Sequence, residues 1–215
     1  MERLLSPLLQ RCNNIHSIAN SCGLFPVENG RHFANLRSLQ VVDDDYPEPN
    51  ILSVSCSRLQ RLVMEHISWP QPDDVMLPDL QLLYVDSCVA SDAMDMLSRT
   101  TDNLTQLCLG VCDPAEDVPA LLTDLSKLKS LTFLRLTYAK IPHDDLNSDY
   151  DGEQVEAALL RLLRGGSRAT LKFLFIELSP GRVWSSGCTN TEICAEIDRM
   201  KAEESLIVAI LVNDI

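Results

Sequence analysis

Apolar residues recur along this chain at offsets of three and then two. Leu36, Leu39 and Val41 make one such set, and Leu59, Leu62 and Met64 the next. Leu80, Leu83 and Val85 follow, then Leu104, Leu107 and Leu109, then Leu131, Leu134 and Leu136, then Leu171, Leu174 and Ile176. The third and fourth sets each add a cysteine three residues further on, Cys88 and Cys112. Degenerate copies open the chain at Ile15 and Ile18, where Asn20 breaks the pattern, and close it at Leu206, Ala209 and Leu211. Alternation of this kind predicts short β-strands with one apolar face. Through the middle of the chain the sets start 21 to 27 residues apart, a spacing in the range of stacked repeats, and two later gaps are longer. Unrelated strands of an ordinary α/β sheet are the alternative.

One such strand cannot bury its own apolar face, so neighbouring copies must stack to complete a core. Between strands the pattern changes to helical spacing. In SDAMDMLSRTTDN, Ser91 or Asp92 is placed to cap a helix that turns Met94 and Leu97 inward. Pro119 suits the first turn of a helix striped by Leu121, Leu122, Leu125 and Leu128. GEQVEAALLRLLRGG predicts another helix, with Val155, Leu159, Leu162 and Leu163 on one face and Gly165-Gly166 as its stop. In TNTEICAEIDRMK, Thr189 and Glu192 fit a capping box, Ile193, Ile197 and Met200 face inward, and the acidic outer face is solvated.

The unit CVASDAMDMLSRTTDNLTQLCLGVC resembles the cysteine-containing leucine-rich repeat, in which a Ser/Thr-Asp pair and a helix follow the cysteine. Such repeats are typical of the substrate-recognition half of F-box proteins. The resemblance is close from Cys88 to Cys112, looser from Leu36 to Leu136, and weak beyond. It implies an α/β leucine-rich-repeat solenoid, curved, with parallel strands on the concave side and helices and loops on the convex side. It also implies an adaptor that holds a substrate for a ubiquitin ligase. The sets ending at Val41 and Met64 depart from it, having no cysteine at the expected place. No segment resembles an F-box, so a ligase scaffold would be met only through one outside this chain. The repeats begin close to Met1 without a capping element, which suggests a piece of a longer protein. A single domain over 1–215 is expected, interrupted by an acidic loop and helix at 142–166.

The residues between the apolar positions fall on the other strand face, where the pattern writes a candidate binding surface. Its interaction-rich members are Arg61, Leu82, Tyr84, Asp86, Phe133, Arg135, Phe173 and Phe175. Aromatic and arginine side chains dominate interface energetics. Three of the chain's five phenylalanines fall at these outward positions, against the usual burial of Phe. A C-terminal tail or neighbouring element can instead cover them. Val208, Ile210 and Val212 of SLIVAILV, assigned to the same face, can be covered likewise.

Composition narrows the remaining classes. The formal net charge is -13, which disfavours nucleic acid and suits a basic protein partner. No 18-residue apolar run exists, so no membrane span is expected. The start is too short an apolar run for a signal peptide, and a reducing compartment is expected, the cytoplasm or the nucleus. The eight cysteines therefore read as thiols, with Cys88 and Cys112 buried one repeat apart and Cys108 outward and oxidisable. Asn103-Leu104-Thr105 matches a glycosylation sequon at a predicted strand edge, at a length that arises by chance.

NSDYDGE places Asn147, Asp149, Asp151 and Gly152 like the early positions of a calcium loop. Its twelfth position, however, is Ala158 where a bidentate Glu is required. A calcium-responsive protein is accordingly a remote alternative. His16, His32, His66 and His143 share no metal-ligand spacing, and no nucleophile elbow or phosphate-binding glycine loop occurs. Neither cofactor nor catalysis is expected. The pattern points to non-catalytic protein binding; the resemblance implies substrate recognition of the F-box kind, and the alternative is a free-standing acidic repeat protein that holds a basic partner.

Overall fold

The computed structural model of the chain describes residues 15–20, 35–42, 57–65, 76–100, 102–111, 118–138, 152–164, 170–178, 191–202 and 207–212. Strands form at the apolar sets: β1 (Ser17–Asn20), β2 (Ser38–Val42), β3 (Arg61–Glu65), β4 (Leu82–Cys88), β5 (Gln106–Val111), β6 (Phe133–Tyr138), β7 (Phe173–Leu178) and β8 (Ile207–Val212). They make one eight-stranded sheet in chain order. Every pairing is parallel. Parallel neighbours require a crossover between them. The described crossovers include α1 (Ala90–Ser98), α2 (Val118–Leu125), α3 (Gly152–Arg164) and α4 (Thr191–Ala202).

The predicted inward residues form the core. Leu39, Leu62, Leu83, Leu107, Leu134 and Leu174 are partners in successive register and all are buried. Val41, Met64, Val85, Leu109 and Leu136 make a second buried row. The helices pack on this side, because Leu121, Leu122, Leu125, Leu159, Leu162, Leu163, Ile193 and Met200 belong to the same apolar cluster. Ile15 and Ile18 lie partly buried against its first edge. Burying one leucine contributes about 1.5–3 kcal/mol, so the rows supply the main cohesion of the sheet.

One device recurs where the strands begin. The carbonyls of His16, Arg37, Gln60, Gln81, Thr105 and Thr132 each accept two consecutive amides from the next strand, at 2.8–3.1 Å. Thr105 and Thr132 add their own hydroxyls, donating to the Gln81 and Thr105 carbonyls at 3.1 and 3.0 Å. A buried or edge carbonyl has two lone pairs to satisfy. Here the step from one strand to the next fills them in the same way each time.

The structure corrects the sequence reading in three places. Helix α1 is capped by neither Ser91 nor Asp92, since both lie inside it. Its N-cap is Val89, extended at φ -82, ψ 151 and without a side-chain cap bond. Strand β4 runs to Cys88, leaving one residue to turn into the helix, and the Val89 carbonyl takes the Ala93 amide at 3.1 Å. Second, β8 is shifted by one residue from the expected set. Its register pairs Leu174 with Val208 and Ile176 with Ile210, so the register of the core columns falls on Val208 and Ile210 and not on Ala209 and Leu211, while Leu206 lies outside the described residues. An unbroken apolar run carries no alternation to fix its register, and a slip of one exchanges the faces. Third, Glu196 on the supposedly solvated face of α4 is 7% exposed. It lies 3.7 Å from the Arg164 Nε of α3 and pairs with Arg199.

The calcium-like loop at 147–151 and Cys112, with the Thr189 cap, the Gly165-Gly166 stop, His32, His66 and His143, lie outside the described residues. Ala158, the loop's twelfth position, is buried in α3. No described helix is long and apolar enough to cross a membrane.

Candidate functional site

The strand faces turned away from the helices carry the polar and aromatic residues that alternate with the core rows. In-register pairing brings them into rows across the sheet, with strands about 4.8 Å apart. One row runs Arg61, Leu82, Gln106, Phe133, Phe173 and Ile207. The next runs Val63, Tyr84, Cys108, Arg135 and Phe175. Glu65 and Asp86 are partners in a third. All eight candidate residues therefore share one face of the sheet, spread over β3 to β7.

The structure divides them into two neighbourhoods. On β6 and β7 the Phe133 and Phe173 rings lie 6.1 Å apart at a 40° tilt, a favourable aromatic arrangement. The Arg135 Cζ sits 5.3 Å from the centre of the Phe175 ring, within cation–π range. Phe173 is 43% exposed, and its row neighbour Ile207 is 64% exposed. Phe133 and Phe175 are half-buried, while Arg135 is exposed. The rings therefore form an apolar step on which a partner's side chain can rest.

On β3 and β4 the neighbourhood is acidic. Burial pushes the Tyr84 hydroxyl pKa above 10.0, and the carboxylates of Asp86 and then Glu65 push it further, against a smaller opposing pull from Arg135. Cys108 separates the two regions. It is a half-buried free thiol whose pKa burial raises above 9.0, while Arg135 draws it back down. A raised thiol pKa disfavours the reactive thiolate. Cys108 is half-buried, and so less outward than its sequence position implies.

Local backbone geometry sets Asp86. Strand β4 breaks register between Val85 and Cys88, and Ser87 adopts φ 61. Across from this irregularity stands Gly110. A Cβ placed there would meet Asp86 Oδ1 at 2.5 Å and the Ser87 amide nitrogen at 3.2 Å. Glycine at 110 is thus the space into which the Asp86 carboxylate fits.

Two residues of this face depart from the alternation. Val63, between Leu62 and Met64, takes an outer position by pattern but is 6% exposed, a short branched side chain standing in its row between Gln40 and Tyr84. Ile207 was missed because the β8 register was off by one, and no polar residue in IVAILV marks the outer face. Among the described residues no three His, Cys, Asp or Glu side chains converge as metal ligands. Before β1, the His16 Nδ1 lies 3.1 Å from the Asn35 carbonyl oxygen. Asn103 of the sequon donates its amide to the Pro78 carbonyl at 2.9 Å.

No protein-family model, curated protein or solved structure matches this chain.

Proposed function

We propose that this chain is a leucine-rich-repeat solenoid acting as a non-catalytic protein-binding module, with its partner held on the concave face, turned away from the described helices. Chain-order parallel strands and the repeated double amide acceptance at strand starts support the repeat reading. The observation that carries the binding reading is the aromatic step: Phe133 packed on Phe173, Ile207 beside it, and Arg135 over Phe175. Desolvating such a cluster against a complementary side chain is how a small part of an interface supplies most of its energy. The role that fits best is substrate recognition of the F-box type, with the ligase scaffold reached through another segment.

Affinity capture from a cytosolic lysate tests this, comparing the natural chain with Phe173→Ala/Phe175→Ala at low and high salt. Both proteins must first show matching thermal unfolding. The natural chain is expected to keep a partner at high salt that the variant loses. A partner set unchanged by the double substitution would remove the aromatic step from recognition. A second reading rests on the Glu65–Asp86 pair and the net charge of -13. An acidic repeat protein holding a basic partner would instead release it steeply as salt screens the charges.

A further inference from the structure

The acidic pair and the aromatic step stand on one face of the sheet, at the two ends of a diagonal. Glu65 and Asp86 are register partners on β3 and β4. Among the described residues neither carboxylate takes part in an ion pair. Like charges on neighbouring strands repel one another. Asp86 leans towards β5, into the space that Gly110 leaves. Phe133 and Phe173 are partners on β6 and β7, in the row four residues nearer the strand starts. From the middle of one pair to the middle of the other is about 14 Å across the strands and about 13 Å along them, or about 20 Å on the diagonal. Cys108 lies midway, on β5 in the row between. Arg135 stands in that same row beside the aromatic end, over Phe175. Arg61, at the start of β3, is off the diagonal.

We propose that this face holds an extended segment of a partner protein that carries one lysine or arginine and, about four to six residues from it, one bulky apolar side chain. The cation lies between Glu65 and Asp86, beside Tyr84, and the apolar side chain rests on Phe133 and Phe173. The proposal rests on the protein-binding reading of the aromatic step and gives its partner a chemistry.

Charge and spacing select this occupant. One cation between the facing carboxylates relieves their repulsion and makes charge-assisted hydrogen bonds, which a neutral or acidic segment cannot do. An extended chain advances about 3.3 Å per residue, so the diagonal, less the reach of a lysine or arginine side chain, takes about four to six residues. Arg135 fixes the direction. A segment laid the other way would set its cation against the guanidinium and its apolar side chain against two carboxylates. The net charge of -13 draws a basic segment towards the chain from a distance.

Selection from a random peptide library displayed on phage tests this on the full chain. Peptides of about twelve residues, at about 3.3 Å each, are long enough to reach both ends of the diagonal. The natural chain is expected to enrich peptides with a Lys or Arg and a large apolar residue at one fixed spacing of about four to six residues. Glu65→Gln/Asp86→Asn keeps both side-chain shapes, and should enrich the apolar residue without the cation. A second arm leaves the chain untouched, and so decides the question even if that variant does not fold. Replacing the cation of a selected peptide by an uncharged analogue (citrulline for arginine, norleucine for lysine) should weaken binding about tenfold or more. Peptides that are apolar alone, that keep no fixed spacing, or whose cation is dispensable would overturn the proposal and leave the aromatic step as a binding site. A selection that enriches nothing, or is unchanged by Phe173→Ala, would overturn both.

Discussion

Gly110 and Asp86 show how narrowly one residue can be set. The carboxylate of Asp86 occupies the space where a Cβ of residue 110 would stand, beside a Ser87 held at φ 61. Gly110→Ala therefore displaces the end of the Asp86 side chain and presses lightly on the Ser87 amide nitrogen. A loss of about 1 kcal/mol in urea unfolding is expected, the low end for overpacking, because a carboxylate yields more readily than backbone. Tyr84, two residues before Asp86, gives a pH test. Its folded pKa lies above 10.0, raised by burial and then by Asp86 and Glu65. A raised folded pKa means the contribution is complete below the unfolded value and is lost as pH climbs through the folded one. Ultraviolet titration should thus find one of the four tyrosines ionising late. Asp86→Asn should bring that ionisation part of the way back, because burial, the larger cause, remains. At this scale the sequence revealed the core leucines, whose positions repeat. It hid Val63, Glu196 and the Asp86–Gly110 fit, because burial on an outer face depends on neighbours that only pairing brings together.

At the scale of elements, the join between α3 and α4 is the most specific. Glu196 of α4 is buried, while its partners Arg164 of α3 and Arg199 remain about half exposed. Arg164 also reaches Glu192 at 3.4 Å. The burden of desolvation therefore falls on the carboxylate and not on the cations. Arg164→Ala/Arg199→Ala should cost more than Glu196→Gln, by about 1–3 kcal/mol at neutral pH, since it leaves a buried charge with less compensation. That excess should shrink in acid as the carboxyl takes up a proton, which chemical unfolding at two pH values would show. Strands and helices themselves were largely legible, because offsets of three and two differ from helical stripes. Failures came where one kind of residue ran on unbroken. The IVAILV of β8 has no polar marker of its face, and the passage from Cys88 to Ala90 leaves no separate position for a cap.

For the whole molecule, the legible part was an α/β architecture with parallel strands stacked in sequence. The regular spacing of the apolar sets required it once each strand needed a neighbour to cover it. The candidate face was legible as a list of positions, and its division into an aromatic step and an acidic pair was not. That division arises from register, which places Phe133 against Phe173 and Glu65 against Asp86 although the members of each pair are distant in sequence.

The order of the strands also bears on how the chain is made. In many parallel sheets a central strand waits for segments synthesised much later. Here each strand is laid beside the one that left the ribosome just before it. Its first amides meet a carbonyl already in place, from His16 for β2 through to Thr132 for β7. Folding can therefore keep pace with translation, one layer at a time, with short loop closures at most steps. The longest crossover between described strands, from β6 to β7, carries α3 and asks for the longest loop closure before Leu174 meets Leu134.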